Sequence, residues 1–236
     1  MIKFWKELNL KEKLLISGGA ILGLFFLILP VWLFWKNNFE HLPFGGGILT
    51  EGLYQPVNTI NPFLAANSSE KVLIDLIFDR IIVDNGQGGF SYELAKNITE
   101  FDKGLKFLVE LKDDKFWTNK ERITSDDVVF SFETLKKLGS EEVKNLFKNI
   151  EIEKVDNYQL FFKMGIKDNY FYNKLNQIYI IPKSIWQKFN PNDWQAQESE
   201  LLQVVSGPYI LERKTDTELI FTRNNLYFPK PYISKI

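Results

Sequence analysis

The sequence predicts a mixed α/β body carried behind one membrane-crossing helix. Residues 14–35, opening at Leu14 and closing at Trp35, contain no charged side chain, and about 20 apolar residues suffice to cross a bilayer core as a helix. Beyond them, strand-like and helix-like stretches follow one another without a regular strand–helix–strand repeat, the pattern of an α/β or α+β body. A length of 236 residues, a net charge of −1 and 45% hydrophobic residues suit a globular body. They leave no basic surplus for nucleic acid. Cysteine is absent, which excludes disulfides, thiolate metal sites, a cysteine nucleophile and a lipidated N-terminal cysteine.

Lys3, Lys6, Lys11 and Lys13 precede the apolar run against Glu7 and Glu12, and only Lys36 follows closely. This asymmetry predicts residues 1–13 as a cytoplasmic tail, residues 14–35 as a single-pass anchor and the remainder outside the cell membrane. Trp32 and Trp35 stand where interfacial anchors belong. A cleaved signal peptide fits less well, because the run exceeds the usual apolar region and no A-x-A-like site follows. Gly19 and Gly23 make a G-x-x-x-G pair, a weak helix-packing signal. Residues 36–47 read as a flexible, glycine-rich stem. The sole histidine, His41, falls in it, without a partner for metal or acid–base work.

In the body, residues 48–53 read as a strand and residues 55–62 as a loop with two prolines. Asn67 and Glu70 are spaced as a capping box, opening a helix to about Arg80 with Leu73, Leu76, Ile77 and Arg80 on one side. Residues 85–89 are a glycine-rich turn. Phe107, Val109 and Leu111 alternate with Lys106, Leu108 and Glu110, the period of a half-buried strand. Asp113, Asp114 and Lys115 end that strand, and Phe116 and Trp117 lead into a polar turn. Thr124 and Asp127 then start a helix whose Val128, Phe132 and Leu135 share a face. Residues 150–155 and 158–163 form a hairpin across Asp156 and Asn157. Residues 178–181 are a short apolar run closed by Pro182, residues 184–189 a short helix, and residues 208–213 with 219–223 a second hairpin.

Candidate chemistry is sparse. Asp126 and Asp127 suggest an acid pair, but adjacent helical residues point about 100° apart, and first-turn carboxylates favour the helix dipole. They read as a helix start. Asn67 and Asn97 head glycosylation-type triplets. No G-x-S-x-G or H-E-x-x-H motif occurs. The expectation is a protein without catalytic residues, metal ligands or cofactor.

Several short motifs stand in a telling order. L-T-E-G-L occupies residues 49–53, I-N-P-F residues 60–63, and Leu76, Ile77 and Phe78 precede a turn from Asp84 to Gly89. Y-E-L-A-K-N follows at residues 92–97, then the strand, Trp117 and capped helix of residues 105–135, S-G-P-Y at residues 206–209, and a final element at residues 219–227. Together they closely resemble solute-binding protein family 5, the oligopeptide-, dipeptide- and nickel-binding receptors of bacterial ABC importers. One departure is the turn after Trp117, where residues 118–122 lack the family's Asp-Gly and proline.

The resemblance implies a periplasmic-binding-protein fold of type II, in which two lobes close on a solute. It implies lobe I from residues 48–77 plus 177–236, an inserted subdomain from residues 78–176, and a second lobe absent from this sequence. The expectation is therefore a fragment, or a protein that kept the scaffold and lost capture. The same resemblance implies cleft contacts at Ala66, Asn67 and Ser68, where helix N–H groups would meet a peptide carboxylate or main chain, and at Ser206 and Gly207. Asn67 serves equally well as a plain helix cap, and Gly207 with Pro208 as a tight turn. Tyr54 and Tyr179 are further cleft candidates, with core packing ahead for both in so aromatic a chain. The implied function is a membrane-anchored, extracytoplasmic receptor that presents a peptide or similar solute to an ABC permease without changing it. A scaffold or sensor that no longer binds solute and a membrane-anchored hydrolase are the alternatives.

Overall fold

The computed structural model describes residues 9–38 and 45–236. His41, Lys3, Lys6 and Glu7 lie outside the described residues. The chain divides into two units, residues 1–44 and residues 45–236.

Among the described residues of the first unit, helix α1 (Leu10–Asn38) is longer at both ends than the uncharged run. Asn9 and Glu12 close its start reciprocally: the Asn9 N–H donates to Glu12 Oε2 at 2.9 Å and the Glu12 N–H to Asn9 Oδ1 at 3.0 Å. Within Leu10–Lys36 the most apolar 18-residue window has a mean hydropathy of 2.5, and none of that window is buried in the protein. Such a helix is long and apolar enough to cross a bilayer.

The second unit begins with an extended stretch and helix α2 (Ser68–Ile77). There follow a hairpin of β1 (Ile82–Asp84) and β2 (Phe90–Tyr92), then β3 (Ala95–Phe101), β4 (Lys106–Leu111), α3 (Ser125–Leu138), α4 (Glu141–Phe147), β5 (Ile150–Lys154) and β6 (Gln159–Met164). Short helices α5 (Phe171–Leu175), α6 (Lys183–Trp186) and α7 (Glu198–Leu201) lead to a last hairpin, β7 (Tyr209–Lys214) and β8 (Leu219–Arg223). Strands β3, β4, β6 and β5 form one antiparallel sheet in that order.

The alternation in β4 has the expected consequence. Phe107, Val109 and Leu111 are buried and stand opposite the buried face of β6, with Phe107 paired to Phe162 and Val109 to Leu160. Helix α3 covers this face: Phe132 meets Phe162 edge-on at 5.4 Å and Phe147 at 5.8 Å. Each buried phenylalanine contributes about 2 to 3 kcal/mol. The α3 start is held by Asp127, whose Oδ2 accepts from the Thr124 N–H at 2.9 Å and whose Oδ1 accepts from the Lys183 N–H at 2.9 Å. Asp126 instead forms an ion pair with Lys154 at the surface. The carboxylates diverge, as the helical geometry requires.

Four local expectations are corrected. Of residues 48–53 only Ile48 pairs, as a parallel bridge to Lys235. Helix α2 ends at Ile77 rather than Arg80, because Phe78 turns extended and the Ile77 carbonyl accepts from the Ser206 and Gly207 N–H groups instead. Its buried side comprises Leu73, Ile74 and Ile77, with Leu76 half-exposed. The short helix after Pro182 covers Lys183–Trp186 only.

Candidate functional site

The predicted contact residues fall at the two ends of α2, whose ten residues span about 15 Å. At its N-terminal end Asn67 is the cap. Its side chain accepts from the Glu70 N–H at 3.0 Å, and its amide donates to the Pro56 carbonyl at 3.1 Å. Glu70 is 1% exposed and gathers four backbone donors. Its Oε1 accepts from Asn58 and Thr59, and its Oε2 from Ala66 and Asn67, at 2.7 to 3.3 Å. Burial pushes the Glu70 carboxyl up, but these four donors outweigh it and hold the group below the usual carboxylate range.

The N–H groups expected to meet a ligand are therefore already engaged. Ala66 and Asn67 donate to Glu70, and Ser68 donates from both N–H and hydroxyl to Gln55 Oε1, at 3.2 and 2.8 Å. What remains accessible is side-chain surface, since Ala66 and Ser68 are exposed. Tyr54, for which core packing was favoured, is 99% exposed. It stands one residue from Gln55, so it belongs to the same end.

At the C-terminal end of α2, Ser206 and Gly207 are buried. Ser206 Oγ accepts from the Asp79 N–H at 2.8 Å, while the Gly207 N–H donates to Ile77 O at 2.8 Å. A Cβ on Gly207 would lie 2.6 Å from Ile77 C and 2.8 Å from both Leu76 O and Phe78 N. Only glycine permits this backbone crossing. The Gly207 carbonyl accepts from the Asn224 amide at 2.9 Å. Tyr179 is half-buried, donates its hydroxyl to Asp75 at 2.6 Å, and lies under the Arg80 guanidinium at 5.1 Å. Burial, then the Asp75 bond, raises its phenol above the ordinary value.

Beside these residues is a charged cluster that sequence reasoning missed. Asp79 is 2% exposed, and its Oδ2 has no hydrogen-bond partner among the described residues. Burial, then the nearby Glu93 charge, pushes its carboxyl up to about 8 against the pull of Lys115 and Tyr227. Glu93 is likewise raised by burial, although it accepts from the Arg80 N–H at 2.7 Å. Burial, then Lys115, lowers Lys112, whose ammonium donates to the Tyr92 and Glu93 carbonyls at 2.8 and 2.9 Å. Burial, then Asp79, raises the Tyr227 phenol. The available signal was the charged pair Asp79 and Arg80 set between the apolar pairs Ile77–Phe78 and Ile81–Ile82. Within this cluster Asp79 is buried, whereas Glu93, Lys112, Lys115 and Tyr227 are only half-buried. No group of three His, Cys, Asp or Glu suited to a metal ion occurs among the described residues.

An open groove of about 730 Å³ runs beside α2. Residues 48–57 form one wall, residues 214–221 and Ile236 the other, and Val72, Leu73 and Leu76 of α2 the floor.

Comparison with known proteins places these features. The family model described as bacterial extracellular solute-binding proteins, family 5 middle, matches residues 89–236. The oligopeptide-binding protein AppA of Bacillus subtilis is 27% identical over 201 residues, covering 82% of this chain and 37% of the relative. Its solved structure, in complex with a nonapeptide, superposes with a TM-score of 0.74 at 23% identity, over 82% of this chain and 40% of that one. OppA of Listeria monocytogenes, bound to peptide, superposes with a TM-score of 0.68 at 14% identity, over 84% and 42%. The chain thus spans about two fifths of the length of these relatives.

Proposed function

Because the chain belongs to the bacterial extracellular solute-binding proteins of family 5, we propose that it serves as the extracytoplasmic receptor of an ABC importer, binding a peptide or similar solute and delivering it unchanged to the permease. The observation that carries this reading is the family match over residues 89–236, joined to a fold shared with peptide-bound relatives. In this reading α1 is a single-pass anchor with its N-terminus in the cytoplasm, a role its length and apolar composition support.

The body then supplies one side of the solute cleft. Residues 48–77 and 177–236 act as the lobe, and residues 78–176 as the inserted subdomain. The exposed ring of Tyr54 and the exposed Ala66 and Ser68 meet the solute, with Asn67 fixing the loop that presents them. Ser206, Gly207 and Tyr179 act from behind by holding the far end of α2. A preorganised loop lowers the entropy lost on binding, and the Glu70 bonds preorganise this one.

The test is made in the bacterium that encodes the protein. Deleting the gene is expected to abolish uptake of labelled oligopeptides, and the protein recovered from membranes is expected to release intact peptides on denaturation. Unchanged uptake together with no released solute would overturn the proposal.

A further inference from the structure

The loop that leads into α2 is gripped by residues far along the chain. Glu198, at the start of α7, has a side chain only 13% exposed. Its Oε1 accepts from the Thr59 hydroxyl at 2.6 Å and from the Ile60 N–H at 2.7 Å, and its Oε2 accepts from Lys214 Nζ at 2.5 Å. Thr59 and Ile60 are both buried. Without this carboxylate two buried donors would be left unsatisfied.

From Thr59 the bonds continue towards α2. The Asn61 N–H donates to Thr59 Oγ at 3.0 Å, and the Phe63 N–H donates to Asn61 Oδ1 at 2.9 Å. The Asn61 carbonyl accepts from the Leu64 and Ala65 N–H groups, both at 3.1 Å. Ala66 and Asn67 then donate to Glu70. Every backbone N–H from Asn58 to Asn67 is thereby engaged, Pro62 having none.

Aromatic packing reaches the same loop from the same distant segment. Phe63 lies 5.9 Å from Trp186 and 5.7 Å from Trp194, and the two indoles meet edge-on at 4.8 Å. Both are buried. Residues 186–198 therefore hold the loop at its start through Glu198 and at its middle through Phe63.

We propose that Glu198 is a positioning residue for solute capture, acting through the loop rather than by contact. It fixes residues 59–66 in the conformation that presents Ala66 and Ser68, and its effect travels along the bonds joining Thr59, Asn61 and Phe63. A loop only fractionally in its competent conformation binds with an affinity reduced by that fraction. The inference rests on the receptor reading for what the loop meets, and on the hydrogen bonds alone for how the loop is held.

The test has two arms, both on the full chain in detergent micelles. In the first, amide hydrogen exchange is followed by mass spectrometry without solute. Glu198→Ala should speed exchange over residues 58–66 about tenfold or more, the factor carried by one charge-assisted hydrogen bond, and leave residues 106–111 of β4 unchanged. Glu198→Gln, which keeps an oxygen for Thr59 and Ile60, should recover most of the protection. Combining Glu198→Ala with Thr59→Val should add less than the two changes do separately. Equal exchange in wild type and Glu198→Ala would overturn the clamp, as would a uniform rise over both segments in every variant. In the second arm a labelled nonapeptide is followed by stopped-flow anisotropy. Glu198→Ala should slow association about tenfold and leave dissociation within about twofold, a split that a mere loss of stability does not produce. Loosened exchange with unchanged association would overturn the role in capture. Wild-type protein that binds no nonapeptide would overturn the receptor reading and that role with it, while the exchange arm still decides the clamp.

Discussion

Replacing Asp79 with asparagine removes a buried ionisable group while keeping its shape. In the folded protein this carboxyl is pushed up to about 8 from an ordinary value of 3.8, first by burial and then by Glu93. A raised carboxylate binds its proton more tightly folded than unfolded. Its favourable contribution is therefore complete below about pH 4 and is lost progressively as the pH rises towards 8. Each pH unit inside that window costs about 1.4 kcal/mol, so between pH 5 and pH 7 this group alone removes about 3 kcal/mol. Glu93 is raised in the same direction and adds to the trend. The assay is urea unfolding of the full chain in detergent micelles, followed by tryptophan fluorescence at both pH values. The wild-type protein should lose stability over this interval, and Asp79→Asn should lose about 3 kcal/mol less. Equal losses in both proteins would refute the placement of a protonated carboxyl at this junction.

The Glu70 carboxyl is shifted the opposite way, so its stabilisation is present above the ordinary carboxylate range and disappears as the pH falls through its lowered folded value. Glu70→Gln should cost about 2 kcal/mol at pH 7 through loss of charge-assisted bonds, and less in acid, as measured by urea unfolding. Gly207→Ala meets the fixed backbone of residues 76–78 and should cost about 3 kcal/mol. Gly52→Ala has no atom within 4 Å and should stay within about 0.5 kcal/mol of wild type, so comparing the two denaturation curves isolates the packing effect. Lys120 sits at φ 70°, and Lys120→Gly should relieve about 1 kcal/mol, read as a rise in melting temperature of about 2 to 4 °C.

The elements legible in the sequence are those whose local pattern and tertiary role agree. Phe107, Val109 and Leu111 announce β4 by alternation, and Thr124 with Asp127 marks the start of α3. The hairpins β5–β6 and β7–β8 follow from their turns. Strand β3 escaped because a register shift between Ala95 and Asn97 breaks its period. Helices α5, α6 and α7, of four or five residues, are too short to show helical periodicity. The end of α2 was misjudged because distant Ser206 and Gly207 claim the Ile77 carbonyl, a partner no local window contains. At the site, the Asn67 cap was readable from its spacing with Glu70. The service of Glu70 to Asn58 and Thr59, and the gathering of Glu93, Lys115 and Tyr227 around Asp79, depend on segments far apart in the chain. The turn without Asp-Gly after Trp117 still forms, with Lys120 taking the left-handed position.

The proposed receptor role requires that the protein bind peptide and leave it intact. Isothermal titration calorimetry of the full chain in lipid nanodiscs, with a nonapeptide as titrant and mass spectrometry of the peptide afterwards, tests it most directly. Saturable heat and complete recovery of the uncut peptide are expected; absence of heat across a panel of peptide lengths, or recovery of cleaved fragments, would overturn the receptor role.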